Sequence, residues 1–181
     1  DVGQHPMWAA QYLTFLKPRS LISSGGLGTM GFGLPASIGA QLGNPDLPVI
    51  CISGDGGFQM NIQELATISN NNLPIKIIIF NNGTLGMVRQ WQELFFNERY
   101  SHTLIHNPDF VKIAQAYDIK AIKINQKKDV EKAIKEALNF PGPMLLDFAI
   151  PQDENVFPMV PEGASLEEML DYKNVLKETE I

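Results

Sequence analysis

Apolar residues in this chain follow two kinds of pattern. Short, continuous, largely β-branched runs occur at Val49–Ile52, Ile75–Phe80, Ala121–Ile124 and Met144–Ile150. A run such as Ile77-Ile78-Ile79 offers apolar side chains to both sides of a strand, which suits a parallel sheet covered on both faces. Ser20–Ser23 reads as a weaker strand. Between the runs, apolar residues recur at helical spacing. Asn61 followed by Glu64 reads as a capping box that opens a helix carrying Ile62, Leu65 and Ala66 on one face. Met87, Val88, Trp91, Leu94 and Phe95 have helical spacing. Asn107-Pro108 reads as cap and first turn of a helix bearing Phe110, Ile113, Ala114 and Tyr117. Asp129 reads as the cap of the stripe Val130, Ala133, Ile134, Ala137, Leu138. This alternation predicts, over residues 1–150, a three-layer α/β/α domain with a mostly parallel central sheet.

After Pro151 the pattern changes. Pro151, Pro158 and Pro161 interrupt regular structure, and an acidic, helix-prone stretch follows from Ser165. Residues 151–181 are expected to form a C-terminal tail lying on the domain or on a neighbour.

Composition narrows the function classes. With 14 basic and 20 acidic residues the formal charge is −6, the wrong sign for a nucleic-acid surface. An anionic phosphate remains a possible ligand, because a metal ion or a backbone nest can bind it locally. Cys51 is the single cysteine, so no internal disulfide forms, and its apolar surroundings predict a buried, inert thiol. No segment has the length of a membrane-spanning helix, and no signal or transit peptide is visible. The chain starts at Asp1 without a methionine, so the lack of a targeting segment carries little weight.

Two turns carry chemistry. Gly54-Asp55-Gly56-Gly57 follows the run Val49–Ile52, and Asn81-Asn82-Gly83-Thr84-Leu85-Gly86 follows Ile75–Phe80. In open α/β sheets ligands bind beyond the carboxyl ends of the strands. Asn82 lies about one helix-plus-strand crossover after Asp55, so neighbouring parallel strands would bring both side chains to one edge. Either turn alone is most simply a turn; two at this distance are not. One carboxylate and one amide oxygen, with a backbone carbonyl, make a sparse all-oxygen site, which suits Mg²⁺ completed by diphosphate oxygens and water. Softer metals would require clustered His or Cys. The glycines let the backbone approach a phosphate closely.

A rival comes from Gly26-x-Gly28-x-x-Gly31, which has the form of a dinucleotide fingerprint between a candidate strand and a helix with Ala36, Ile38 and Ala40. Asp55 stands farther from it than the roughly 20 residues usual for the ribose-binding acid, and Asn82 has no part in that scheme. His102 and His106 have i,i+4 spacing but no evident acid partner, so a surface or interface role is expected.

Gly54-Asp55-Gly56 with Asn81-Asn82 resembles the thiamine-diphosphate signature, which begins with GDG and ends with paired asparagines. The similarity extends further. Gly3-Gln4-His5 with Met7-Trp8-Ala9-Ala10-Gln11, the run Gly25–Gly33, Gly86-Met87-Val88 with Gln90-Trp91-Gln92, Arg99-Tyr100-Ser101-His102-Thr103, Asn107-Pro108-Asp109-Phe110 and Pro158-Met159-Val160-Pro161 all look like acetolactate synthase catalytic subunits. Essentially the whole chain is covered.

The resemblance implies roles residue by residue. Asp55 and Asn82 side chains and the Thr84 carbonyl would bind Mg²⁺. Gln4 and His5, with the backbone of Gly56 and Gly57, would contact the diphosphate. Gly28 and Met30 would meet the aminopyrimidine through backbone groups. Gly86, Met87 and Val88 would also border the cofactor, Met87 propping it into a bent form, and Met87 and Trp91 would shape the substrate pocket. The implied reaction condenses two pyruvates to 2-acetolactate with loss of CO₂, and pyruvate with 2-oxobutyrate to 2-aceto-2-hydroxybutyrate, the first common step of branched-chain amino-acid synthesis. No catalytic residue is expected in this chain. The family's activating glutamate and its FAD site lie on other domains, and the second catalytic subunit of a dimer or larger assembly is implied, with a small regulatory subunit as a further partner. The implied location is the cytoplasm, or a plastid or mitochondrion in a eukaryote. Pyruvate oxidase, 2-oxo-acid decarboxylase and glyoxylate carboligase are alternatives within the wider family. A dinucleotide (NAD or FAD) module and a catalytically silent binding domain are alternatives outside it.

Overall fold

In a computed structural model, described over residues 1–171, the chain runs α1 (Gln4–Tyr12), α2 (Gly33–Gly43), β1 (Ile50–Gly54), α3 (Asp55–Met60), α4 (Leu65–Asn70), β2 (Lys76–Asn81), α5 (Gly86–Phe95), α6 (Phe110–Ala116), β3 (Lys120–Ile124), α7 (Val130–Asn139) and β4 (Met144–Ala149). The four strands form one sheet in the order β1-β2-β4-β3, and every pairing is parallel.

The apolar runs are strands because alternate side chains find cover on opposite faces. Ile77 and Ile79 of β2 and Leu145 of β4 pack with Leu34 and Ile38 of α2, Phe58 of α3, Leu65 and Ile68 of α4, and Phe110 and Ala114 of α6. Ile78, Met144, Leu146 and Phe148 point the other way, against Ala133 and Ala137 of α7. On that second face α1 lays Trp8 against Phe80, with ring centroids 6.2 Å apart. The result is an α/β domain with helices on both sides of a parallel sheet. Ile77, Ile79 and Leu145 are each 0% exposed, so each contributes about 1.5–3 kcal/mol of hydrophobic stabilisation. Cys51 is buried in the first layer, and burial pushes its thiol up to about 11, as suits an inert packing residue.

Several local expectations give way to longer-range contacts. Ser20–Ser23 is not a strand; the chain there is irregular and leads into a single 3₁₀ turn at Gly25–Leu27. The helix after β1 begins at Asp55 itself; Asn61 ends it and, as expected, also precedes the next helical segment, a 3₁₀ turn at Ile62–Glu64 that runs into α4. Asn61 makes no cap: its amide donates to the Gly31 carbonyl at 2.7 Å. Glu64 instead accepts from Thr67 at 3.4 Å. The cap of α6 is Asp109, whose carboxylate accepts from the Lys112 N–H at 3.1 Å, and not Asn107. Asp129 stands at the start of α7 without a side-chain cap bond. α1 was not signalled by periodicity at all.

Beyond Pro151 the chain turns back over the domain. Asn155, Val156, Phe157 and Met159 are all buried. Gln90 of α5 holds this strap, accepting from the Val156 N–H at 2.8 Å and donating to the Val156 carbonyl at 2.9 Å. Ser165 caps a 3₁₀ turn at Leu166–Glu168. The remainder of the expected tail, 172–181, lies outside the described residues.

Candidate functional site

β1 and β2 are neighbours with Gly54 opposite Phe80, so the turns that leave them emerge side by side. Asp55 is the first residue beyond β1 and Asn82 the first beyond β2. Asp55 is buried at 2% exposure. Its Oδ2 accepts from the Gly83 N–H at 2.7 Å and from Asn107 Nδ2 at 2.6 Å, and its Oδ1 from the Gly56 N–H at 2.9 Å. Burial raises its pKa, and the donors from Asn107, Gly83 and Gly56 oppose that shift.

Asn82 Oδ1 accepts from the Thr84 N–H at 3.2 Å, while its Nδ2 donates to Gln4 Oε1 at 3.3 Å. Gly83 adopts φ 68°, which lets the chain double back directly after Asn82. Thr84 is buried and turns its hydroxyl to the Thr103 carbonyl at 2.8 Å; neither this bond nor that of its N–H uses its own carbonyl. Gln4, from the first turn of α1, is aimed by two acceptors for its Nε2: Gln90 Oε1 at 3.1 Å and the Glu154 carbonyl at 2.8 Å. Gly86 opens α5 where a side chain has no room. A Cβ there would stand 2.0 Å from Gln4 Oε1 and 2.9 Å from Asn82 Nδ2.

These groups border one cleft of about 490 Å³. Every residue that the resemblance assigns to cofactor or metal lines it, Gly28 and Met30 included. Trp91 does not; it lies farther along α5, packed edge-on against Phe95 at 5.2 Å. Apolar side chains of Trp8, Met30, Leu85 and Met87 form much of the wall. Asp55 is the only charged side chain among the lining residues; no Lys or Arg is present. His5 is also buried there, and among the described residues its Nε2 has no hydrogen-bond partner. Burial lowers its pKa to about 3, so the ring is neutral.

A buried polar nitrogen without a protein partner is a place that a water or a ligand atom can fill. In a cleft with one carboxylate and no basic side chain, a cation would offset the repulsion between Asp55 and a phosphate, beside whatever backbone N–H groups contribute. The oxygen atoms of Asp55, Asn82 and Thr84 are of the kind a hard ion takes; among the described residues no three His, Cys, Asp or Glu side chains gather. The residues present therefore fit a divalent cation with a phosphorylated ligand.

Neither the rival dinucleotide fingerprint nor a paired-histidine site forms. The run Gly26–Gly31 lacks a preceding strand, and with it the strand–turn–helix context that a dinucleotide fingerprint requires. His102 and His106 are exposed in a loop, His102 with φ 55°, so they share no helix face. Conversely, sequence reasoning missed Asn107 and Gln90. Asn107 had the look of a cap, and Gln90 lies beside a helix stripe with nothing local to mark its role.

Comparison with known proteins adds independent information. Residues 1–148 match the family described as thiamine pyrophosphate enzyme, C-terminal TPP binding domain. The chain is 55% identical over 172 residues to the acetolactate synthase isozyme 2 large subunit of Escherichia coli (strain K12), covering 94% of this chain and 31% of that one. It is 53% identical over 172 residues to the acetolactate synthase large subunit of Porphyra purpurea, with 94% and 29% covered. It is 49% identical over 177 residues to acetolactate synthase 1, chloroplastic, of Oryza sativa subsp. japonica, with 93% and 28% covered. The chain thus spans less than a third of the length of these relatives. Among the described residues no helix is long and apolar enough to cross a membrane.

Proposed function

This chain belongs to the thiamine pyrophosphate enzymes, as their C-terminal TPP binding domain, and on that premise we propose that it is the cofactor-anchoring part of an acetolactate synthase catalytic subunit. The observation that carries the reading is the cleft whose single charged side chain is the buried Asp55, beside Asn82 and the unpartnered His5. Asp55, Asn82 and the Thr84 carbonyl hold Mg²⁺, which offsets the charge of a diphosphate that no basic side chain meets. Gln4 and His5, with the backbone of Gly56 and Gly57, bind the diphosphate. Gly28 and Met30 meet the aminopyrimidine through their backbone, while Gly86, Met87 and Val88 border the cofactor and Met87 keeps it bent. Trp91 shapes the place of the second 2-oxo acid. Bound thiamine diphosphate supplies the carbanion chemistry; this chain orients it and keeps water from its diphosphate end.

The substrates are pyruvate and 2-oxobutyrate, and the products are 2-acetolactate and 2-aceto-2-hydroxybutyrate. The activating glutamate and FAD belong to other domains and a second catalytic subunit, so the chain alone does not turn over. A small regulatory subunit is a further candidate partner, and the place of action is the cytoplasm, or a plastid or mitochondrion in a eukaryote. Analysis of products formed from pyruvate by the complete enzyme tests the assignment: acetolactate supports it, whereas acetaldehyde or acetyl phosphate as the main product overturns it. Robust acetolactate formation by the isolated chain overturns the division of labour.

A further inference from the structure

Asp147 is a buried carboxylate for which the function above has no use. It lies on β4 opposite Ile79 of β2, 2% exposed, with Lys123 Nζ 3.8 Å from its Oδ2. Its Oδ1 accepts from Asn81 Nδ2 at 2.9 Å. Asn81 Oδ1 in turn accepts from Asn107 Nδ2 at 2.9 Å, and the same Asn107 nitrogen donates to Asp55 Oδ2 at 2.6 Å. From the other side, Gln59 Nε2 donates to Asn107 Oδ1 at 2.7 Å.

An asparagine amide has two ends of nearly equal size and opposite hydrogen-bonding character. Its orientation is therefore set by its partners. An ionised carboxylate only accepts, so Asp147 draws the nitrogen end of Asn81 toward itself and turns the oxygen end toward Asn107. Asn107 must then present its nitrogen, whose two N–H bonds reach Asn81 and Asp55. The reverse orientation would set its oxygen against Asp55 Oδ2 and its nitrogen against the donor of Gln59. With Gly83 and Asn107 both on Oδ2, and only Gly56 on Oδ1, the lone pair left over is on Oδ1.

We propose that Asp147, through Asn81 and Asn107, forms a polarity relay that positions Asp55 and leaves its Oδ1 as the oxygen offered to the metal. The inference rests on the Mg²⁺ site proposed above. Asn107 is the positioning residue in direct contact with Asp55, and Asp147 acts at two removes. Outer partners of this kind orient metal ligands, and their loss typically weakens metal binding by about tenfold or more.

The test titrates MgCl₂ calorimetrically into the full-length polypeptide in the presence of excess thiamine diphosphate, with melting of the ligand-free protein in parallel. Asn107→Ser is expected to weaken Mg²⁺ by about tenfold or more, while the ligand-free protein still melts cooperatively, at a lower temperature because the bonds to Asp55, Asn81 and Gln59 are lost. Asn81→Asp faces two carboxylates toward each other and is expected to weaken Mg²⁺ similarly. The double variant Asn81→Asp/Asp147→Asn exchanges donor and acceptor, restores an alternating chain and is expected to recover most of the parent affinity. Asn107→Ser binding Mg²⁺ as the parent does, or a folded double variant no better than the single one, overturns the relay. If Asn81→Asp does not fold, Asn107→Ser decides alone. A parent that shows no Mg²⁺ binding overturns the metal site and the relay together, which separates the two failures.

Discussion

The carboxylate of Asp55, at the tip of β1, accepts the backbone N–H of Gly83 from the turn beyond β2 at 2.7 Å. One hydrogen bond thus ties together the two turns that carry the proposed metal ligands, and it does so in a place where burial already raises the carboxyl's pKa. The unfolded chain gives up this proton first as the pH rises. Ionisation of Asp55 therefore costs the ligand-free fold stability through the window above the ordinary carboxylate pKa. A bound cation removes that cost.

Asp55→Asn should consequently leave the ligand-free protein as stable as the parent, or more so, while abolishing the response to Mg²⁺. In the parent, thiamine diphosphate with Mg²⁺ at about 100 times its dissociation constant should add roughly 2.7 kcal/mol. Thermal melts with Mg²⁺ and with chelator measure both effects. An equal shift in chelator would count against the metal.

His5 gives a pH signature of opposite sense. Its folded pKa is about 3 against 6.5 for the free side chain, because burial disfavours the imidazolium. The unfolded chain takes up the proton first as the pH falls. His5 therefore leaves stability intact above about pH 6.5 and lowers it by roughly 1.4 kcal/mol per pH unit as the pH drops toward the folded value. Urea midpoints of the ligand-free protein between pH 7 and 4 should fall less steeply for His5→Gln than for the parent.

Gly86 and Gly39 should respond oppositely to alanine. At Gly86 the new methyl would displace Gln4 from Asn82, costing about 1–3 kcal/mol from overpacking and much of the affinity for cofactor. At Gly39, inside α2, a Cβ meets nothing within 4 Å, so alanine should add about 0.5–1 kcal/mol by helix propensity. Denaturant midpoints at constant slope distinguish the two; a neutral Gly86→Ala would show that Gln4 moves freely.

Gln90→Leu should free the strap. The substitution keeps volume but leaves the buried N–H and carbonyl of Val156 without their partner and removes one of the two acceptors of Gln4 Nε2. A loss of about 2–4 kcal/mol is expected from these unmade bonds. Protease cleavage near Val156 should accelerate in the variant; unchanged cleavage would mean the strap is held elsewhere.

How far the sequence revealed all this depends on the range of the interaction. The strands were legible because Ile77, Ile78 and Ile79 must be covered on both sides whatever the topology. The convergence of Asp55 and Asn82 was legible because each follows such a strand and a single crossover separates them. Asn61 and Asn107 were misread for the same reason as each other. Their local surroundings offer a cap, but their amides bond to Gly31, 30 residues away, and to Asp55, 52 residues away. α1 escaped because Pro6 and a weak apolar stripe hide it, and its first turn is fixed by what Gln4 reaches in α5 and the strap.

Lys76 sits at the opposite pole of β2, its ammonium bound by the carbonyls of Phe140 and Gly142. Since all four strands run the same way, the molecule has a fastened blind end and a reactive rim. Met30, Leu85 and Met87 hang from the rim on turns and helix starts, outside the strand-to-strand ladder. Side chains at the rim can therefore be exchanged without touching the ladder, while the blind end goes on holding the scaffold shut.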